Sequence, residues 1–253
     1  DPAASARVAV LDRRLATIAT SIRVAETRDS RLATAEDALQ DMRSLFERAR
    51  DLILTASNAT ASSSDRSTAA IEIGQLRAQL LALANRTDAA ARPLFAGADA
   101  QTAYAEAPDG TIEWTGGSDT AATDTVELRP LLAPAAAEAP RRTAFDWLDE
   151  AMTSLVAVDA SATTLAPILT EMQRFSERIT GAIASVGLRR SALETERDAL
   201  LSEETATRIA RGQLADTDVT TEVVGLQRLT LLLDASRQLF AQVTTRSLFD
   251  YLR

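Results

Sequence analysis

Two apolar stripes with a seven-residue spacing, one near each end of the chain, constrain its fold most. The first consists of Leu11, Ile18, Ala25, Leu32, Leu39, Phe46 and Ile53, and the second of Leu165, Met172, Ile179, Val186, Leu193 and Leu200. A seven-residue apolar repeat of this length holds one seam of a long helix against another helix. The sequence therefore predicts a mainly α protein, an elongated antiparallel bundle of long helices, and a structural part rather than an enzyme.

Charge and composition narrow the possible partners. The chain has 253 residues, 36 acidic against 27 basic, and a formal net charge of −9. All the basic residues are arginine, and they form no basic tract. An acidic chain of this kind is a poor ligand for nucleic acid or for an anionic membrane surface, because both are bound through clustered positive charge. We therefore expect neither partner.

Cysteine and histidine are both absent, which excludes several kinds of chemistry. Disulfides, thiolate nucleophiles, Cys/His zinc sites and Ser–His–Asp arrangements are all impossible here. We expect no catalytic residues, no cofactor and no metal, and we interpret Asp216 and Asp218 as a solvated helix start. No apolar run is long enough to span a bilayer, and no cleavable signal peptide is visible. The chain opens at Asp1-Pro2 without methionine, so we expect that a preceding segment is missing from it.

The first stripe predicts one helix over residues 4–58. We expect Ser63 or Ser64 to cap a second helix, with Asp65 in its first turn. This helix should run antiparallel to the first and end at about Arg92. Residues 93–142 are rich in turn residues and predict a small β-hairpin insert, with alternating segments at Thr111–Thr115 and Thr125–Leu128. A loop is expected over Leu131–Ala139.

Helical patterns return after the insert. Thr143-x-x-Asp146 predicts a capping box for a helix to about Val158, and a second long helix should begin near Thr164, with Pro167 in its first turn. Gly181 and Gly187 either mark the close approach of another backbone or are simply tolerated. The helical pattern of the long helix becomes weaker near Gly212, and one further apolar helix is predicted after it. The predicted domains are a rod of 1–92 and 143–214, the insert 93–142, and an assembly helix within 215–253.

The final helix supplies the candidate interface residues. We expect its assembly or chaperone surface to comprise Leu226, Leu229, Leu233, Phe240, Val243, Leu248, Phe249, Tyr251 and Leu252. Alone, residues 216–253 bury too little to offset the cost of ordering their backbone. We therefore predict that this tail is disordered or loosely held in a free monomer and orders on assembly. The last four of these residues could instead form an ordinary C-terminal clasp.

Several segments resemble a known family when they are taken in order. They are Asp1–Ala4, Arg31–Leu39, Arg48–Leu52 with Ala56–Thr60 and Ser64–Arg66, Leu81–Asn85, Leu94–Gly97, Asp109–Gly116, Val186–Arg189, Asp216–Asp218 and Leu248–Arg253. Together they are similar to the flagellin-like hook-associated family of the bacterial flagellum. Two departures are that the family's N-terminal helix is absent and that the central insert is short, with Trp114 where tyrosine is more usual.

The resemblance implies a structural adaptor at the hook–filament junction. It implies self-association in a ring, contact with a neighbouring hook-associated junction protein and with flagellin, and a cytoplasmic export chaperone on the C-terminal helix. It also implies secretion through the flagellar export apparatus to the extracellular flagellum. Two alternatives stay open: flagellin itself, although this chain has no asparagine after Asn85, and a cytoplasmic coiled-coil scaffold.

Overall fold

The computed structural model describes residues 2–58, 60–97, 100–117, 126–133, 142–157, 162–215 and 219–245. These residues form six helices and two strands, which confirms a mainly α fold with a small β-hairpin. The helices are α1 (Pro2–Ala56), α2 (Ser63–Ala84), α3 (Arg129–Leu132), α4 (Ala144–Val156), α5 (Ala162–Ala215) and α6 (Val219–Thr245), and the strands are β1 (Tyr104–Glu106) and β2 (Ile112–Trp114).

The chain divides into two compact units. Residues 20–201 form the larger one, which we call the main unit, and residues 1–19 with 202–253 form the terminal unit. The hydrophobic core lies in the main unit, where α1, α2, α4 and α5 all contribute fully buried side chains. The hairpin adds Tyr104 and Ile112 to the same core.

The two heptad stripes form the seam of the main unit. Ala25, Leu32, Leu39, Phe46 and Ile53 on α1 are all buried, as are Leu165, Met172, Ile179 and Val186 on α5. The Phe46 and Phe175 rings stack across the seam, and Arg197 lies 3.4 Å from the Glu26 carboxylate. Since partners further along α5 face positions earlier on α1, the two helices are antiparallel. Leu193 and Leu200 are only partly buried, so the second stripe is less complete than the first.

Helix α2 begins and ends differently from the sequence prediction. Ser62, not Ser63 or Ser64, is the N-cap, and it exchanges hydrogen bonds with Asp65 in a capping box. The helix stops at Ala84 rather than near Arg92. It stops because the next residue, Asn85, uses its side-chain amide to hold β1. The chain then turns back, with a positive φ of 58° at Ala91.

Asn85 connects the end of α2 to the hairpin. Its Nδ2 donates to the Tyr104 carbonyl at 2.8 Å, and its Oδ1 accepts the N–H groups of Ala103 and Tyr104 at 2.8 and 3.1 Å. The side chain therefore satisfies three backbone groups that a strand edge would otherwise leave unpaired. It fixes the position of β1 against the helix.

The hairpin pairs β1 with β2 in antiparallel register, Tyr104 opposite Trp114 and Glu106 opposite Ile112. Gly110 adopts a φ of 86° in the connecting turn, a conformation that favours glycine.

The strand at Thr111–Thr115 was correctly predicted, but its partner is Tyr104–Glu106. The prediction for Thr125–Leu128 was wrong for its described part: Val126, Glu127 and Leu128 form no strand, and α3 follows at once. Their alternation reflects the burial of Val126 and Leu128. Leu131 and Leu132, expected in a loop, lie in α3.

The elements after the insert agree with the prediction except at their ends. Thr143 caps α4 through the predicted capping box with Asp146, although α4 ends at Val156. Helix α5 starts at Ala162, so Pro167 lies in its second turn rather than its first, and it continues through Gly212. A Cβ atom placed on Gly181 or Gly187 would meet nothing within 4 Å. Within the described chain, no neighbouring backbone requires either glycine.

Candidate assembly surface

Helix α6 exposes the apolar residues that the sequence predicted as an interface. Leu226, Leu229, Leu233 and Phe240 are between 52% and 72% exposed. Their spacing of three, four and seven residues places them on one side of the helix, which we call face A. The side chain of Val243, and the whole of Leu248, Phe249, Tyr251 and Leu252, lie outside the described residues.

A second apolar surface on α6 was missed by the sequence analysis. Val224, Leu231, Leu232 and Leu239 are also more than half exposed, and we call them face B. At 100° per residue, these positions are centred about two fifths of a turn away from face A. The run Leu231-Leu232-Leu233 was the available signal, because three consecutive leucines cannot share one face of a helix. Apolar side chains therefore cover more than half of the circumference of α6.

The residues between these leucines favour a helix and leave it with few charges. Between Val223 and Gln242 the only charged residues are Arg228, Asp234 and Arg237. Leucine, glutamine, alanine and arginine all favour helix, and Thr230 returns a hydrogen bond to the Leu226 carbonyl at 3.0 Å. Every described side chain from 223 to 242 except position 225 is exposed. A helix with this much exposed leucine is typical of an interaction surface.

Covering the exposed apolar side chains of α6 would be favourable. Full burial of one leucine or phenylalanine side chain contributes roughly 1.5–3 kcal/mol, and each face carries several such residues. An isolated helix is marginal in water unless its apolar face is covered. Whether α6 orders only on assembly therefore stays a prediction, but its exposed surface is the kind that a partner helix or groove would cover.

The terminal unit also contains charged contacts between its two chain segments. Arg14 contacts Glu203 at 2.8 Å, and Arg211 pairs with Asp12. These side chains are largely exposed, and such pairs typically contribute less than about 1 kcal/mol each. Thr207 is buried and bonds back to the Glu203 carbonyl. Charge pairing therefore aligns the two segments without adding much stability.

A polar groove lies between α1 and α5 in the main unit. It has a volume of about 640 Å³ and is lined by charged residues that include Glu26, Asp29, Glu36, Arg190 and Arg197. Arg190 donates to Asp29 at 2.9 Å and to Glu36 at 2.8 Å, and these hydrogen bonds raise the pKa of the guanidinium. Because charged side chains in the groove already pair with each other, we interpret the groove as part of the seam between α1 and α5. In the described part of the chain, no cluster of acidic side chains could hold a metal ion.

Arg77 ties three elements of the main unit together. Its Nε lies 2.7 Å from Asp149 on α4, and its Nη2 donates to the Gly110 carbonyl at 2.6 Å. Burial raises the pKa of Asp149, opposed by Arg77 and reinforced by the nearby carboxylates of Asp146 and Glu106. The α4 side of the main unit is therefore locally acidic.

Among the described helices, none combines the length and apolar character needed to span a bilayer.

Comparison with known proteins agrees with the fold. Residues 1–100 match the family model of the bacterial flagellin N-terminal helical region. The chain is 34% identical over 103 residues to flagellar hook-associated protein 3 of Escherichia coli strain K12. That match covers 41% of this chain and 32% of the length of the curated relative.

Solved structures share the fold over most of the chain. A flagellar hook-associated protein from Vibrio parahaemolyticus superposes with a TM-score of 0.75 at 19% identity, covering 84% of this chain and 98% of that one. FlgL from Bacillus cereus has a TM-score of 0.64 at 20% identity, covering 82% of this chain and 100% of that one. The chain is therefore similar to the flagellin N-terminal helical region over residues 1–100, and its fold is the one found in flagellar hook-associated proteins.

Proposed function

We propose that this protein is a structural adaptor that joins the hook of the bacterial flagellum to its filament. The observation that carries the proposal is the exposed apolar surface of α6 on a fold shared with hook-associated proteins. A subunit with two apolar faces on one helix leaves both exposed when it is alone. Neighbouring copies of the chain are the simplest molecules that could bury them. The role needs no catalytic group, and a purely structural adaptor agrees with the absence of histidine and cysteine.

The partners follow from that role. Copies associate side by side in a ring, and the ring contacts a hook-associated junction protein on one side and flagellin on the other. Before export, a cytoplasmic chaperone covers the C-terminal assembly helix, including Leu226, Leu229, Leu233 and Phe240, as a groove accepts an amphipathic helix. The protein then leaves the cell through the flagellar export apparatus and resides in the extracellular flagellum.

A deletion strain tests the adaptor role. Loss of the filament together with flagellin shed into the medium is the expected result, because subunits are exported with nothing to polymerise on. Complementation with the intact gene should restore filaments. A deletion strain that keeps normal filaments would contradict the proposal.

Flagellin itself is the second candidate, since residues 1–100 match a flagellin region. If this chain were the filament subunit, its deletion would remove the filament without releasing another flagellin into the medium. The culture supernatant therefore discriminates the two. Blots of supernatant and sheared flagella also test the remaining alternative, a cytoplasmic scaffold, which would stay in the cell fraction.

A further inference from the structure

The main unit has an apolar groove of its own. It is formed by α2 and α4, has a volume of about 660 Å³, and is lined by Ser67, Ala70, Ile71, Gly74, Asp149, Met152, Thr153, Val156 and Ala157. Ile71 and Val156 are 65% and 63% exposed. Gly74 lets the two helices approach, because a Cβ atom there would lie 3.1 Å from the Met152 sulfur. We call this the α2/α4 groove.

A single exposed leucine lies on α5 of the same unit. Leu188 is 75% exposed and follows the buried seam residue Val186 by two positions, so it points away from the core. Its neighbours on the same side of the helix are all small and exposed: Gly181, Ala184, Ser185, Ser191 and Ala192. Leu188 therefore projects from a smooth helical surface that another molecule can approach closely.

These features are complementary in polarity. Among the described residues of the main unit, the three most exposed large apolar side chains are Ile71, Val156 and Leu188. Two of them line the groove and the third is an isolated projection. Leucine offers no hydrogen-bonding group, so an apolar groove is a suitable place to bury it.

The charges beside each feature are also complementary. Leu188 is followed by Arg189, which is exposed and positively charged. The groove contains Asp149 on α4, which pairs with Arg77 of α2. Helix α4 carries two further acidic residues, Asp146 and Glu150, and no basic residue, so this edge of the groove is acidic. Opposite charges at the edge of an interface favour the correct partner and orientation.

We propose that Leu188 of one copy inserts into the α2/α4 groove of the next copy, with Arg189 facing the acidic edge beside Asp149. The inference rests on the proposed function and deepens it, because it assigns residues to the side-by-side contact. A projection and a groove at different places on one molecule make a head-to-tail contact, and such contacts close into rings when the rotation allows.

Cysteine cross-linking tests the contact directly, since the natural chain has no cysteine. The pair Val156→Cys and Leu188→Cys is placed in the full chain and expressed in the deletion strain, and sheared flagella are oxidised mildly. A cross-linked dimer is expected, and it should also form when the two single variants are co-expressed. The matched control pairs Leu188→Cys with Leu54→Cys, which is exposed in the same unit but lies outside the groove. It should give no dimer.

The outcomes separate this inference from the proposed function. If the cysteine variants support filaments and no 156–188 link forms, the groove contact is wrong while the adaptor role stands. A link from position 188 to position 54 instead, or from position 156 to α6 or to a chaperone only, would also overturn it. In a second measurement, Leu188→Asp should lose filaments while its unfolding midpoint stays that of the natural chain. Normal filaments with Leu188→Asp would contradict the contact.

Discussion

Phe46 on α1 and Phe175 on α5 stack with their ring centroids 5.3 Å apart and their planes inclined by 18°. Both side chains are fully buried, and they join the two seven-residue stripes at the middle of the seam. Because one ring lies on α1 and the other on α5, the stack reports directly on the pairing of the two helices.

Phe175→Ala should lower the free energy of unfolding of the main unit by about 3–5 kcal/mol, because it removes a buried ring and leaves a cavity. Both tryptophans of the chain, Trp114 and Trp147, lie in that unit, so tryptophan fluorescence during urea denaturation measures it. Leu188→Ala is the matched control and should change the value by no more than about 0.5 kcal/mol, since Leu188 is exposed. Equal effects of the two substitutions would contradict the packing described.

Arg31→Ala should destabilise the main unit by about 1–3 kcal/mol, because it leaves the Pro93 carbonyl without its donor and removes one of the two guanidinium groups that pair with Asp88, the other being that of Arg92. Arg31 donates to Asp88 at 3.1 Å and to the Pro93 carbonyl at 2.7 Å, and the two charged side chains are only 8% and 7% exposed. The control is Arg43→Ala, whose pair with Glu47 is exposed and should be worth less than about 1 kcal/mol. A small effect at Arg31 would show that the segment after α2 is held by other contacts.

Acid should weaken the main unit partly through Asp88. Burial acts to raise the pKa of this carboxyl, but hydrogen bonds from Arg92 and the Ala90 N–H prevail and hold it below its ordinary value of 3.8. A depressed folded-state pKa gives stability that is present above the ordinary value and is lost as the pH falls through the folded-state value. The free energy of unfolding should therefore decline below about pH 4.

Asp88→Asn isolates this contribution. The variant should be less stable than the natural chain at neutral pH, and the difference between them should shrink as the pH is lowered from about 5 to about 3. Asp65 and Asp109, whose pKa values are also lowered by hydrogen bonds from Ser62 and Thr111, contribute equally to both proteins. Urea titrations at a series of pH values provide the measurement. A difference that stays constant with pH would exclude the assigned role of Asp88.

Asn85→Ala should lower the free energy of unfolding by about 2 kcal/mol or more, because three backbone groups of residues 103 and 104 lose their hydrogen-bond partner. Hydrogen exchange should show faster exchange at those two amides. Asn58→Ala is the control, since Asn58 is exposed and accepts only a long 3.4 Å contact from the Thr60 N–H. Similar effects of both asparagine variants would argue against a special role for Asn85.

Leu229→Asp should abolish filament assembly and leave the main unit unchanged, because Leu229 is 68% exposed in the isolated chain. The control Gln227→Asp introduces the same charge on the same helix, two residues away and off face A, and should assemble. Filaments are counted by electron microscopy, and stability is followed by tryptophan fluorescence. If the leucine variant assembles normally, face A is not an assembly surface.

The sequence determined the features that depend on periodicity and on near neighbours. The heptad stripes predicted α1 and α5 and their buried positions, and Thr143-x-x-Asp146 predicted the start of α4, because a helix repeat and a capping box each involve residues a few positions apart. The Asp109-Gly110 turn and the strand after it were found for the same reason. On α6, the same reasoning predicted face A and missed face B.

Only the tertiary structure decided the features that depend on partners distant in the chain. Asn85 ends α2 because its amide meets β1, and Arg31 is buried because Asp88 and the Pro93 carbonyl are brought to it by the turn between them. Val126 and Leu128 alternate like a strand but are buried beside α3. In each case a local pattern allowed more than one structure, and the free energy of a long-range contact selected among them.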